Sequence, residues 1–405
     1  MLGLLLLSLA GAAEPTDGPS DALVVPGPFV MEDQAGNSLR LRFVGQVQAN
    51  LDLRSDDDWA PVETLRFRRV RLLVDTDLLD GRLRTGFQLN TQPGALELMD
   101  LWGQVGLGRD ITLKVGQFKV PWTRYRAQSF ASLLLVDWPI ATRFFGAERQ
   151  LGLMASDGKP GEDRFGWAIG VFAGSNARAS FATGVGSAHA ELWANPSSLT
   201  GPSVSWAVHP ELVGRVSTGT PGIDARTSSD IEGGSLRWLG AFSIAADLAP
   251  DPIRDFSLRL SPELLVKGGG LSANLVGYAG FFESDDTPLA PASLGGVVEV
   301  GWRLAPRWGV AASYSRVDQL PALRDTARAR ADAVIDAARP RERDALEAAY
   351  ASAGVTGSEQ EMGAGLDWWV AGDTVKLQLD GAWLRTQTTG FEDGLRLRLQ
   401  AQVAL

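Results

Sequence analysis

The chain has 405 residues, with 48 Asp and Glu against 38 Lys and Arg, two His and no Cys. A disulfide framework and a thiol nucleophile are therefore excluded, and a formal charge of −10 argues against nucleic acid as a partner. No run of 18 apolar residues occurs, which excludes a membrane-spanning helix but not strands, whose alternation hides from hydropathy windows.

Residues 1–13, MLGLLLLSLAGAA, read as a secretory signal peptide: a short apolar run, then small residues suited to cleavage near Ala12 or Ala13. Residues 14–38 are rich in Pro, Gly and Asp and are expected to form a flexible periplasmic lead-in. From residue 39 to 405 the pattern is that of an all-β chain. Residues 40–54 alternate, with Leu41, Phe43, Val47, Leu51 and Leu53 on one face and Arg42, Gln46, Gln48 and Asn50 on the other. Over 64–78 the parity slips between Leu65–Phe67 and Val70–Leu72–Val74, so one extra residue at Arg68–Arg69 is expected as a bulge. A tight turn at 79–82 leads into a strand at 83–89, and 98–107 with 111–118 read as a hairpin. Strands follow at 148–156, 164–174 and about 187–194. Residues 195–231 carry Pro196, Pro202, Pro210 and Pro221 and read as poor sheet. Clean alternation returns at 235–248, 256–267, 271–282, 294–304, 308–317, 359–370, 374–385 and 395–405. The interruption at 322–353 has Leu323, Ala327, Ala331, Val334 and Ala338 at helical spacing and is split by Pro340, which predicts a helical hairpin on one outer loop.

The last eleven residues suit either a membrane barrel or a soluble sandwich, and the rest of the chain favours the barrel. Leu395, Leu397, Leu399, Ala401, Val403 and Leu405 alternate with Arg396, Arg398, Gln400, Gln402 and Ala404. An apolar strand edge at a chain end is hazardous unless it closes a barrel against the first strand, and lipid makes that closure obligatory. Eleven residues also match the ~9–11 that a tilted transmembrane strand needs. Leaving out 195–231 gives 16 strands, and single-chain bacterial barrels have even strand numbers. The expected fold is thus a transmembrane antiparallel β-barrel of about 16 strands, its outer face against outer-membrane lipid and lipopolysaccharide, its lumen aqueous. Trp59, Trp302, Trp308, Trp368 and Trp383 lie near strand ends, where an aromatic girdle would sit.

A channel needs fixed charge at its narrowest point. Arg66, Arg68, Arg69, Arg71, Arg82 and Arg84 lie on adjacent strands, and Arg124, Arg126, Arg143 and Arg149 lie in or beside the long loop 119–147. Guanidinium groups stay charged and hold phosphate or carboxylate in a fork, which suits an anion-guiding role. Pairing with Asp75, Asp77, Asp100, Asp137 and Glu148 into a structural ladder is the competing reading. The loop 119–147 is far longer than a hairpin needs and too apolar to stand in solvent, with Trp122, Tyr125, Phe130, Leu133–Val136, Trp138, Phe144 and Phe145. Its nearest shelter is the lumen, where it would form a constriction; a neighbouring subunit is the alternative. His189 and His209 lie in unrelated segments, so no metal site is expected, and Ser187 beside His189 is too ordinary a spacing to suggest a hydrolase. No cofactor is implied.

Residues 114–153 resemble the signature region of the phosphate-selective porin O/P family of outer-membrane channels. The matching pieces are Val115-Gly116-Gln117-Phe118-Lys119-Val120-Pro121-Trp122, Arg143-Phe144-Phe145-Gly146 and Arg149-Gln150-Leu151-Gly152-Leu153. Arg68-Arg69-Val70-Arg71, Trp193-Ala194-Asn195-Pro196 and the terminal strand also resemble that family. The resemblance implies a 16-stranded homotrimeric pore whose third outer loop, residues 119–147, folds inward. Two features depart from it: the chain has only five lysines, and its last residue is Leu405 where the family ends on an aromatic. The function expected is passive diffusion of small anions, phosphate-like ones included, or of small polar solutes. The alternatives are a non-conducting structural or adhesive barrel and, more remotely, an outer-membrane hydrolase.

Overall fold

The computed structural model describes residues 28–55, 59–92, 95–108, 110–146, 149–157, 165–173, 210–248, 256–284, 287–341, 343–344, 347, 357–387 and 391–405. The signal segment, Glu148, both histidines, Ser187 and the strand expected at 187–194 lie outside these residues. The chain forms one antiparallel sheet of 17 strands, 16 of which close into a barrel. The first half of the wall runs β2 Ser38–Arg54, β3 Pro61–Leu78, β4 Leu83–Gln92, β5 Ala95–Gly108, β6 Ile111–Lys119, β7 Arg149–Ser156, β8 Phe165–Phe172 and β9 Glu211–Gly219. The second half runs β10 Arg237–Asp247, β11 Phe256–Gly268, β12 Leu271–Ser284, β13 Thr287–Ala305, β14 Trp308–Gln319, β15 Ser358–Ala371, β16 Val375–Gln387 and β17 Phe391–Ala404.

Closure is made by the terminal strand. β17 pairs with β2 from Gly394↔Arg54 to Ala404↔Val44, which leaves no free apolar edge. The remaining edge of β2 is occupied by β1, Phe29–Glu32, which pairs from Phe29↔Leu41 to Glu32↔Ser38. Within the segment read from sequence as lead-in, Phe29–Glu32 is therefore strand, joined to β2 by a turn at 33–37. A run of four residues, Phe29-Val30-Met31-Glu32, is too short to show an alternation beforehand.

The alternation sorts the two faces. Leu397 is 52% exposed and Leu379 50%, whereas Gln400 is fully buried, bonded to Gln378 at 3.1 Å. A wall with greasy residues outside and polar residues inside is a membrane barrel turned toward an interior lumen. Trp238, Trp302 and Trp308 are exposed at the short-turn end, where Trp308 stacks on Trp368 at 5.5 Å.

The expected bulge in β3 is present. Gln46 faces Arg69 and Val47 faces Phe67, so Arg68 is the unpaired extra residue. Its consequence is chemical: before it, even-numbered residues such as Arg66 face the lumen, and after it Arg69 and Arg71 do, instead of pointing into lipid.

Two expectations are corrected. The place between β8 and β10 is filled by β9, Glu211–Gly219, from the stretch dismissed as poor sheet. The prolines lie outside that strand: Pro210 just precedes it and Pro221 follows it. The count of 16 stands, with this member in place of 187–194. The stretch left between the strands expected at 271–282 and 294–304 is mostly strand, because the β12–β13 hairpin stays paired out to Ser284↔Thr287, accommodating its prolines with two register shifts. The helical insert is present as Pro321–Ala337, with Leu323 packed on Phe282 and Ala292 at the barrel rim. Helical residues resume at Pro340.

Strand direction puts loops 55–60, 120–148 and 320–357 at one end. The turns at 79–82, 109–110 and 372–374, with the C-terminus, lie at the other. Long loops outside and short turns in the periplasm are the arrangement of outer-membrane barrels.

Candidate functional site

The segment joining β6 to β7 enters the barrel. It is built from three short turns of helix. Thr123 caps Arg124–Ala127 by accepting from the Arg126 amide at 3.1 Å, Ser129 caps Phe130–Ser132, and Pro139 precedes Ile140–Phe144. Its apolar side chains find the shelter they require: Trp122 and Tyr125 have no exposed surface, and Phe130, Leu133–Val136, Phe144 and Phe145 are buried. The Trp138 indole donates to the Tyr125 carbonyl at 3.1 Å, closing the loop on itself.

The far wall receives the loop with polar groups aimed at its backbone. Glu263 of β11 accepts from the amides of Arg124 and Tyr125 at 2.9 and 3.0 Å. Asp380 of β16 accepts from Val136 at 2.9 Å, Glu361 of β15 from Ile140 at 3.0 Å, and Ser315 of β14 from Ala141 at 2.9 Å. The Leu133 carbonyl accepts from Lys376 Nζ at 2.8 Å and from Gln378 at 3.2 Å, and the Ala131 carbonyl accepts from Gln402 at 3.1 Å. Irregular backbone in a membrane barrel must be satisfied by protein or lumen water, and here wall side chains from five strands do it. Two glycines make room. A Cβ on Gly295 would stand 2.4 Å from the Phe145 ring, and one on Gly301 would stand 2.7 Å from Leu134. Each is a socket that any larger residue would fill.

The arginines divide. Arg68 and Arg69 of β3 hold Asp137 of the loop, at 2.8 and 3.2 Å. Burial alone would raise the Asp137 carboxyl; Arg69 and Arg68 outweigh it and hold it well below the usual carboxylate range. Arg69 and Arg71 both lie over the Phe130 ring, at 4.7 and 4.4 Å, so the loop is gripped by cation–π contacts on this side. Arg126 lies over Trp138 at 4.2 Å; burial pulls it down to about 10, which leaves it charged at neutral pH. Arg149 is paired with Asp100 at 2.7 Å. Arg66 is exposed and donates to Gln48 at 3.3 Å, and Arg143 is 41% exposed, 3.4 Å from Glu361.

Three of the sequence candidates are placed elsewhere. Arg124 turns to the opposite wall, donating to Asn274 of β12 and to Gln128 at 2.9 Å. Arg82 and Arg84 are exposed at the short-turn rim, where Arg84 meets Asp77 at 3.2 Å and both border an open depression with Asp80, Gln104 and Asp110. They are not brought to the throat. The structure adds residues that sequence reasoning did not single out. Arg398 of β17 forms a fork with Asp380, both bonds 2.7 Å, and Arg396 pairs with Asp52 at 2.8 Å. Arg215 of β9 reaches Glu263, and Arg259 of β11 reaches Glu211. The alternation around Arg396 and Arg398 had put both on the wet face; only the cross-strand register shows which carboxylates they meet. Among the described residues no group of three or more His, Asp or Glu could hold a metal.

No protein-family model matches the chain, and no curated protein matches its sequence. Solved structures do match. The outer membrane channel DcaP of Acinetobacter baumannii aligns at a TM-score of 0.59 and 12% identity, covering 93% of this chain and 99% of that one. An anion-selective porin from Comamonas acidovorans aligns at 0.56 and 11%, covering 90% and 99%. Pseudomonas putida OprB aligns at 0.51 and 11%, covering 92% and 94%. The chain therefore has the fold of the outer-membrane porins.

Proposed function

We propose that the protein is a bacterial outer-membrane channel for passive diffusion of small anions, phosphate-like ones included, or of small polar solutes, and that it works as a homotrimer. The observation that carries the reading is the loop 120–146 crossing the lumen to the β11–β16 wall. In this reading Arg66 and Arg143, which keep exposed surface, guide the anion, and Arg68, Arg69, Arg71 and Arg126, gathered around Phe130, Asp137 and Trp138, add positive charge behind them. Low-dielectric walls focus such a field on a passing solute. Kinship with phosphate-selective porin O/P channels has the quoted motifs in its favour, and the fold shared with an anion-selective porin supports the same sign of selectivity. Among the described lysines, Lys119, Lys267 and Lys376 donate to backbone carbonyls and Lys114 lies over the Trp102 ring, so arginines would do the guiding.

The test is planar-bilayer recording in a salt gradient. Discrete conductance steps with a reversal potential displaced toward that of the anion are expected. Replacing Arg66 and Arg143 together by Ala should move the reversal potential toward zero, while replacing Arg82 and Arg84 at the rim should leave it nearly unchanged. A folded protein that shows no steps would return the chain to a structural or adhesive barrel.

A further inference from the structure

The connection between β9 and β10, residues 220–236, belongs to the short-turn end of the barrel, where neighbouring connections such as 269–270 and 306–307 have two residues. It does not hang below the rim. It climbs the inner wall, burying Ile223 and Ala225 against Leu239 of β10 and Leu265 of β11. Its anchors are charged and largely enclosed. Asp230 is held by Arg237 and accepts from the Gly270 amide at 2.9 Å. Lys267 donates to the Asp224 carbonyl at 2.9 Å and to Thr227 at 2.7 Å, and Arg303 donates to the Ile231 carbonyl.

The tip of this turn meets the constriction loop inside the lumen. The Ser228 amide donates to the Ser132 carbonyl at 3.3 Å, and the Ser132 hydroxyl donates to the Arg226 carbonyl at 3.0 Å. Gln128 donates to the Ser228 hydroxyl at 2.7 Å, and Arg124 donates to the Ala225 carbonyl at 3.2 Å. Ser228 is fully buried and Gln128 nearly so, so water does not compete for these bonds. Arg124 thus joins three pieces at once: the loop, the turn and Asn274 on the wall.

We infer that this periplasmic-side turn is a second pore-narrowing element, which latches the constriction loop so that the passage is set by two segments entering from opposite ends. The inference rests on the channel reading for its effect on flux, but the docking of turn on loop can be tested without it. The chain has no cysteine, so Ser132→Cys with Ser228→Cys gives a clean pair. Their backbone contact brings the two positions side by side, within reach of a disulfide or a short bis-thiol reagent. In folded protein the pair should join in high yield, seen as a reducible mobility change, and the joined channel should conduct like the unjoined one. Replacing residues 223–231 by a Gly-Ser stretch of equal length should raise single-channel conductance about twofold and admit larger neutral polymers. Gln128→Ala with Ser228→Ala, which spares the barrel anchors, should give a smaller rise if the longer replacement does not fold. Failure of the thiols to join would overturn the docking. Wild-type conductance and size limit in either folded variant would overturn the narrowing. A wild-type chain that conducts nothing would sink the channel reading and the narrowing with it, and the cross-link would then decide the docking alone.

Discussion

The two sides of the inner wall differ in what they offer the constriction loop. From β11 to β16 the wall presents carboxylates, hydroxyls and gaps: Glu263, Ser315, Glu361 and Asp380 take loop amides, and Gly295 and Gly301 take ring and methyl groups. On β3 it presents Arg66, Arg68, Arg69 and Arg71, of which Arg68 and Arg69 meet one loop carboxylate, Asp137, and Arg69 and Arg71 the face of Phe130. The first side satisfies backbone and closes over it; the second supplies more positive charge than the loop neutralises. One loop can therefore be fixed by one wall while leaving a field on the other.

The comparison breaks most severely if outside and inside are confused. Leu397→Arg forces a cation into lipid from the β17 outer face and should cost about 2–4 kcal/mol near the midplane, read as a lower urea midpoint for refolding into vesicles. The neighbouring Arg398 bears the same charge toward the lumen and is bonded to Asp380. If Leu397→Arg refolds with an unchanged midpoint, the faces have been exchanged. A smaller effect is expected from filling a socket. Gly295→Val places methyl groups where the Phe145 ring stands and should cost roughly 1–3 kcal/mol, through overpacking. The barrel should still form, with the loop loosened and conductance noisier; quiet channels of wild-type size would remove the socket from the account. The smallest effect concerns acid. The depressed Asp137 carboxyl contributes stability that is fully present above the ordinary aspartate range, ~4, and is lost only as pH falls through its lower folded value. Conductance should thus be flat in this respect between pH 7 and pH 5, and a drop in loop order over that window would mean that Asp137 is not held by Arg68 and Arg69.

Much of this was legible in sequence. Alternation gave the faces of β2, β11 and β17, and the parity slip put a bulge at Arg68–Arg69, which the register narrows to Arg68. Burial demand alone asked shelter for Trp122, Tyr125 and Phe144, in the lumen or against a neighbouring subunit, and they are buried inside the barrel. What sequence could not supply was partnership across the lumen. Arg124 looked like Arg126 in the chain, two residues apart on one short helix, yet one faces Asn274 and the other Trp138. Arg82 and Arg84 shared a cluster with Arg66–Arg71 by number, but they lie in and just after the turn that joins β3 to β4, at the rim. The turn 220–236 was unreadable because its stability comes from the wall behind it, through Lys267 and Arg237, rather than from any periodicity of its own.

Whether the loop narrows an arginine-lined passage is decided by removing residues 129–138. That deletion takes away Phe130, Asp137 and Trp138 together while leaving the barrel wall intact. Single-channel recording in a salt gradient should then show a larger conductance and a reversal potential closer to zero than the full chain gives. Unchanged conductance and selectivity in a folded barrel, with loss of the oligomer instead, would contradict the account and assign the loop to the subunit interface.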